Sequence, residues 1–294
     1  MLFIGEIAAI TTAFLWSINA VFLAEAAKRI GNILINITRM FLASIMLIVT
    51  ILIIGADFSI SQTQFTFLVL SGVVGLIIGD TALFKSFELI GVRIAMLIMS
   101  FAPPISAILA FIFLGEVITL TAIIGIFFTI LGVGIVVMEK NLSQNDSKIN
   151  IKGILFGIIA SLGQAVGLIF AKEAFNIAPI NEFVVAFVRL SSSTIIMYII
   201  FRLSGKIKNP IRIFRNDKTA FYLAIVASIL GPFLGITMSM FAISHTYVGI
   251  AATLISTVPI IMLPISAFYY KEKLSSKSII GAIVAVSGVA LLFL

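Results

Sequence analysis

Apolar residues in this chain come in long unbroken runs, without the two-residue alternation of a half-buried strand. Each run holds about 20 mostly apolar residues, enough for a helix rising ~1.5 Å per residue to cross a hydrocarbon core roughly 30 Å thick. Backbone polar groups find no water in hydrocarbon, so such runs form helices or a closed barrel. The missing polar alternation excludes the barrel. Ten segments qualify, at 3–24, 33–54, 65–87, 93–114, 118–138, 153–172, 182–202, 220–243, 247–269 and 276–294. The pattern therefore predicts an all-α integral membrane protein with ten transmembrane helices. Two turns, near Leu89–Gly91 and His245–Tyr247, are very short. The longest polar interval, Glu139 to Lys152, divides the chain almost in half. The second, Ser204 to Lys218, carries Lys206, Lys208, Arg212, Arg215 and Lys218. Both read as solvated loops. The first run lacks a basic leader, and its first charge is Glu6, so it reads as a retained helix and not a cleaved signal peptide.

The two halves repeat. At one constant offset, Gly75 meets Gly231, Gly79 meets Gly235, Thr81 meets Thr237, Ser100 meets Ser256, Pro103 meets Pro259 and Glu116 meets Glu272. Gly125 and Gly132 meet Gly281 and Gly288, and further back Arg39 matches Arg189 and Gly5 matches Gly153. This divides the chain into a first five-helix repeat at 1–139, a cytoplasmic linker at 140–152 and a second repeat at 153–294. An odd number of helices per copy makes the second copy enter from the opposite side. The expected arrangement is an inverted repeat, a recurrent transporter design with the solute site between the halves.

Composition agrees with this reading. Hydrophobic residues make up 61% of the chain and charged residues 11%, with mean hydropathy +1.26. A soluble domain carries roughly 25% charged residues, so lipid must cover most of this surface. No cysteine is present, which excludes disulfides, cysteine-ligated zinc and thiol nucleophiles. One histidine and 12 acidic residues, with no P-loop or nucleophile motif, leave no catalytic site, metal site or cofactor to propose.

A net charge of +7 would suggest nucleic acid in a soluble protein, but here the basic residues flank apolar runs, so no nucleic-acid partner is expected. They gather on one side: Lys28, Arg29, Arg39, Lys85, Arg93, Lys140, Lys148, Lys152, the 202–218 cluster, Lys271, Lys273 and Lys277. The positive-inside rule makes that side cytoplasmic and places both termini outside the cell membrane. Lys172 and Arg189 are the exceptions.

The chain resembles the EamA type of the drug/metabolite transporter superfamily over nearly its whole length, in two copies. The resemblance rests on AFLWSINAVF at 13–22, on Arg39 and Arg189 opening the second helix of each half, and on SFAPPISAILAFIFLGE at 100–116 with STVPIIMLPISAFYYKE at 256–272. The glycine pairs 125/132 and 281/288 complete it. It implies a secondary carrier that exports or exchanges a small metabolite, amino acid or drug-like solute without ATP hydrolysis. A coupling ion such as H+ would be a partner beside the solute and the lipid bilayer. Many ten-helix relatives are described with both termini cytoplasmic, whereas the charges here place both outside. The alternatives are a channel or scramblase-like facilitator, or an integral-membrane enzyme. Substrate and oligomeric state are not encoded legibly.

Duplicated residues serve the scaffold both halves share. Gly75, Gly79, Gly231 and Gly235 form small-xxx-small faces for close helix packing, and Gly153 and Gly157 can do likewise. Pro103 and Pro259 each remove a helical hydrogen bond, as hinges or static bends. Glu116 and Glu272 read as partners of helix N-termini, with substrate contact as the alternative, and Arg39 and Arg189 as snorkelling or paired near the interface, with binding of an anionic solute as the alternative. Ser100 and Ser256 are read as satisfying helix carbonyls.

Unduplicated polar residues carry the functional expectation. Thr12, Trp16 and Asn19 share one face of the first helix, and Gly157, Ser161 and Gln164 repeat the spacing on the sixth. Facing each other, the stripes would line a central cavity; the alternative is interhelical hydrogen bonding, worth about 0.6–2 kcal/mol per contact. Thr253 is a further cavity candidate. Asp80 is the strongest single candidate, because its repeat partner is Ile236 and the common scaffold does not need its charge. It can bind a cationic group, titrate during transport, or pair with a basic residue on another helix. Lys85 lies at a poor angle for it and is expected to pair with Glu88.

Overall fold

A computed structural model describes residues 3–114, 119–143, 150–205, 210–245, 254–271 and 274–291. Regular structure among them is helical throughout: α1 Ile4–Ile30, α2 Asn32–Ile54, α3 Gln62–Ile90, α4 92–114, α5 Leu120–Ser143, α6 Ile151–Ile177, α7 Glu182–Leu203, α8 Pro210–Asn216, α9 218–245, α10 Val258–Tyr269 and α11 Ser276–Leu291. Every segment predicted from hydropathy holds one of these helices. Seven described helices (α1–α4, α6, α7 and α9) are long and apolar enough to cross a membrane, and the apolar helices at Leu120–Val136, α10 and α11 are shorter. Large apolar side chains such as Leu52, Ile53, Phe113 and Phe268 lie exposed on the outside, as lipid-facing positions should.

Helix boundaries depart from the hydropathy pattern where polar residues extend a helix. The first run ends near residue 24, yet α1 continues to Ile30 because Glu25 bonds Arg29 (3.3 Å) and pairs with Lys28 (3.8 Å) one turn on. Gly31 and Gly91, both at φ 84°, each break the chain between two helices in a single residue. That conformation costs a side-chain-bearing residue much more than glycine. The predicted solvated loop at 204–218 is partly helical instead. It holds α8, whose Phe214 meets Phe221 of α9 edge-on at 5.6 Å. Before α3, Asp57 accepts two bonds from Ser59 that hold its exposed carboxyl below the usual range, and Ser61 with Gln64 closes a capping box. The Gln64 amide reaches on to the Ala174 and Ala178 carbonyls at the end of α6.

The repeat is visible in packing as well as in sequence. A π-helical stretch interrupts α3 at Val73–Gly79, and a second interrupts α9 at Ile229–Gly235, the positions the repeat makes equivalent. α5 and α11 cross through reciprocal glycines. A Cβ on Gly132 would meet the Gly281 carbonyl at 2.5 Å, and one on Gly288 would meet the Gly125 carbonyl at 2.7 Å. At the centre of this seam Thr129 Oγ1 donates to the Ala285 carbonyl at 3.4 Å, and the repeat makes these two positions equivalent. Early residues of each helix meet late residues of the other, so α5 and α11 run antiparallel. Self-complementary contact of this kind marks a two-fold relation. The other pairings follow it: α2 packs on α7, α1 on α9, and α6 on α3. Each half thus lends its first helix to the third helix of the other half.

Pro103 and Pro259 mark irregular points of unequal form. Before Pro103 the helix tightens into a 3-10 turn at Met99–Phe101, whereas Pro259 stands in the first turn of α10 after a break. Glu116 and Glu272 lie outside the described residues.

Candidate solute site

Asp80 is the first α-helical residue after the π-helical stretch of α3. It is buried at 6% exposure and pairs with Arg39 Nη2 of α2, while Gln164 Nε2 of α6 donates to its other oxygen at 2.9 Å. Among the three roles open to Asp80, partnership with a basic residue of another helix is therefore the contact present. Lys85 pairs with Glu88 at 2.8 Å, as the spacing predicted.

Arg39 is fixed on three sides. Its Nε donates to Asn36 Oδ1 at 3.0 Å, and its guanidinium lies 5.0 Å from the Phe84 ring centroid. Asn36 in turn donates to the Leu76 carbonyl at 3.1 Å and to Thr81 Oγ1 at 3.3 Å. A π turn is wider than an α turn and favours insertion of such partners. Here it offers the Leu76 carbonyl to Asn36 and the Gly75 carbonyl to Gln164 (3.3 Å).

The arginines correct one expectation. Neither snorkels near an interface: Arg39 is 6% and Arg189 7% exposed, each seven residues inside its helix. They flank α3 from two sides, with Arg39 on Asp80 and Arg189 Nη2 lying 3.7 Å from where a Cβ on Gly75 would stand. Asp80 interacts electrostatically with both. Of the two arginines that the repeat relates to each other, Arg39 is the one that forms an ion pair with this unduplicated acid among the described residues.

The polar stripes of α1 and α6 do not pack chiefly on each other. Thr12 is buried and bonds its own helix at the Ala8 carbonyl, 2.9 Å away. Trp16 and Asn19 press on the second π-helical stretch: a Cβ on Gly235 would meet Trp16 Nε1 at 2.3 Å, and one on Gly231 would meet Asn19 Nδ2 at 2.4 Å. On α6, Ser161 donates to the Ile98 carbonyl of α4 at 2.9 Å, just before the 3-10 turn. The register that pairs Gly5 with Gly153 pairs Trp16 with Gln164 and Asn19 with Gly167. Where one half puts Asn19 against Gly231, the other puts Gly167 against Gly75, and a Cβ on Gly167 would come within 3.1 Å of the Gly75 Cα. Gly163 is tighter, at 2.8 Å from the Gly79 Cα. Gly75 and Gly79 themselves meet only contacts of 3.4 Å or more, so on this side the tighter need for glycine falls on α6. Gly153 is also close, with Ile90 Cγ2 at 2.5 Å.

Ser100 departs from expectation, since its buried hydroxyl has no hydrogen-bond partner among the described residues. Thr253 lies outside them. His245 stacks on Phe241 with ring centroids 3.9 Å apart.

A cavity of about 770 Å³ lies at the end of the molecule where Gly31, Asn32 and Lys85 stand, with walls from both halves. Its lining includes Ile77 and Thr81, which puts Asn36 one hydrogen bond behind it and Arg39, the partner of Asp80, two behind it. Sequence reading missed Asn36, although it sits three residues before Arg39, on the same helix face.

The fold and this buried charge cluster define a polytopic helical membrane protein built from two copies of one unit. The family model for the EamA-like transporter family matches residues 3–138 and again 151–294, and the chain belongs to that family. Its members are membrane transporters of the drug/metabolite type. No curated protein matches this chain. One crystal structure, titled only as the structure of a protein, superposes with TM-score 0.69 at 13% identity, covering 98% of this chain and 95% of that one. That likeness concerns the fold.

Proposed function

We propose that this protein is a secondary carrier with ten membrane crossings in two inverted five-helix halves. It moves a small metabolite, amino acid or drug-like solute by alternating access, as exporter or exchanger. The observation carrying this reading is the exchange of first helices, α1 onto the π-interrupted α9 and α6 onto the π-interrupted α3. Two nearly equivalent seams allow one to loosen while the other holds, the requirement for opening a midplane site to alternate sides. The cavity at the Lys85 end is the vestibule of the described conformation. The basic residues at that end make it the cytoplasmic side, with both termini outside. Candidate solute contacts are Thr12, Trp16, Asn19, Asp80, Ser161, Gln164 and Thr253. Protein reconstituted in liposomes is expected to show saturable flux of at least one solute from a panel of amino acids, nucleobases, organic anions and organic cations. Folded protein that moves none of them would overturn the reading. Flux that never saturates would make the protein a facilitator instead.

A further inference from the structure

The buried cluster holds two permanent cations and one acid. Both oxygens of Asp80 are already engaged, one by Arg39 and the other by Gln164. Arg189 is buried at 7% exposure, and no described carboxylate lies within ion-pair distance of it. Its Nε has no hydrogen-bond partner among the described residues. A guanidinium presents its N–H groups in a planar fork, and Nε with Nη2 forms the edge that takes both oxygens of one carboxylate. Here Nε, one arm of that edge, is buried without a partner among the described residues. Nη2 lies 3.7 Å from where a Cβ on Gly75 would stand, a point equally close to the Gly163 carbonyl and the Gly167 Cα of α6. A buried charge without a full partner is costly inside a membrane and marks a ligand or pathway.

We propose that Arg189 is the anchor for a carboxylate, bound through its Nε–Nη2 edge between α3 and α7. Resting on the carrier reading, this makes the transported solute a small carboxylate-bearing molecule. Asp80 then acts as the internal counter-ion of Arg39 and not as a receptor for a cationic group. The cluster becomes neutral only when the solute is aboard, so loaded and empty carriers differ in the charge they must move.

The test uses the smallest carboxylate, which fits any guanidinium site. Purified full-length protein is melted in sodium formate and in sodium chloride at equal ionic strength, with formamide as the neutral control. Formate is expected to raise Tm by several degrees over chloride, and formamide to leave it unchanged. Arg189→Gln should abolish the formate shift. Arg189→Lys, which keeps the charge but loses the fork, should lose most of it and carries the test if the glutamine variant does not fold. Asp80→Asn should keep or enlarge the shift, because it removes the competing anion. A shift that survives in both Arg189 variants, is matched by chloride, or disappears in Asp80→Asn alone would overturn the proposal. Solute flux without any formate shift would sink the carboxylate site and leave the carrier standing. An Arg189-dependent shift in protein that carries no solute would do the reverse.

Discussion

The Arg39–Asp80 pair is an ion pair whose removal by halves should cost more than its removal whole. Both residues are buried, and Arg39 is further held by Asn36 and Phe84. Losing one partner leaves the other charge uncompensated, at about 3–5 kcal/mol. Asp80→Leu and Arg39→Met are each expected to lower stability by that order in detergent melts, and the double variant by clearly less than the sum. Additive losses would show that the pair contributes no coupling. Asp80 was legible as the outstanding residue because it lacks a repeat partner and stands inside an apolar run. Its partner was not legible. Arg39 lies 41 residues away and Gln164 lies 84 away, and which of several polar groups meets Asp80 depends on how three helices are rotated.

Among the elements, α5 and α11 form the most symmetric seam, and glycines set its closeness. A Cβ on Gly132 would stand 2.3 Å from the Ala285 backbone nitrogen, and one on Gly288 would stand 2.4 Å from the Thr129 nitrogen. Backbone cannot move aside as a side chain can, so Gly132→Ala and Gly288→Ala should each destabilise by about 1–3 kcal/mol, the usual cost of overpacking. Two-fold related contacts predict similar values for the two. Gly134 lies on the same helix with nothing within 4 Å of its added Cβ, and Gly134→Ala should be neutral or stabilising by up to ~1 kcal/mol through helix propensity. Equal losses in all three variants, read by thermal melts, would remove the steric explanation. The duplicated glycines were visible in the sequence as small-residue faces. What faced them was not: Gly231 and Gly235 meet Asn19 and Trp16, whereas Gly75 and Gly79 meet glycines of α6. The π-helical stretches were also missed, since their residues are as apolar as the α-helix around them.

At the scale of the whole molecule, polar contacts tie helix ends of the two halves together. Arg29 at the close of α1 pairs with Asp217 at the start of α9 at 3.5 Å, and Ser86 donates to the Gly153 carbonyl at 2.9 Å. Gln64 ties the opposite ends of α3 and α6 together. Because the chain contains no cysteine, single-cysteine labelling reads out orientation cleanly. In intact cells a Ser59→Cys variant should react with an impermeant reagent, and a Ser204→Cys variant only after permeabilisation. The opposite result would invert the molecule in its membrane and with it the side to which the described cavity opens.

The chain's own sequence determined the apolar helices, the doubling of one unit and the gathering of positive charge toward one end. All three are one-dimensional properties, set by run length, by a constant offset and by residue type. Tertiary structure alone decided that each half lends its first helix to the other, that two π-helical stretches occupy the crossings, and that Asp80 pairs with Arg39 of the two repeat-related arginines. Those outcomes depend on the rotation and depth at which helix faces meet. Hydropathy says that a helix is surrounded by lipid or by other helices, but the partner of each polar group is chosen only when the helices pack.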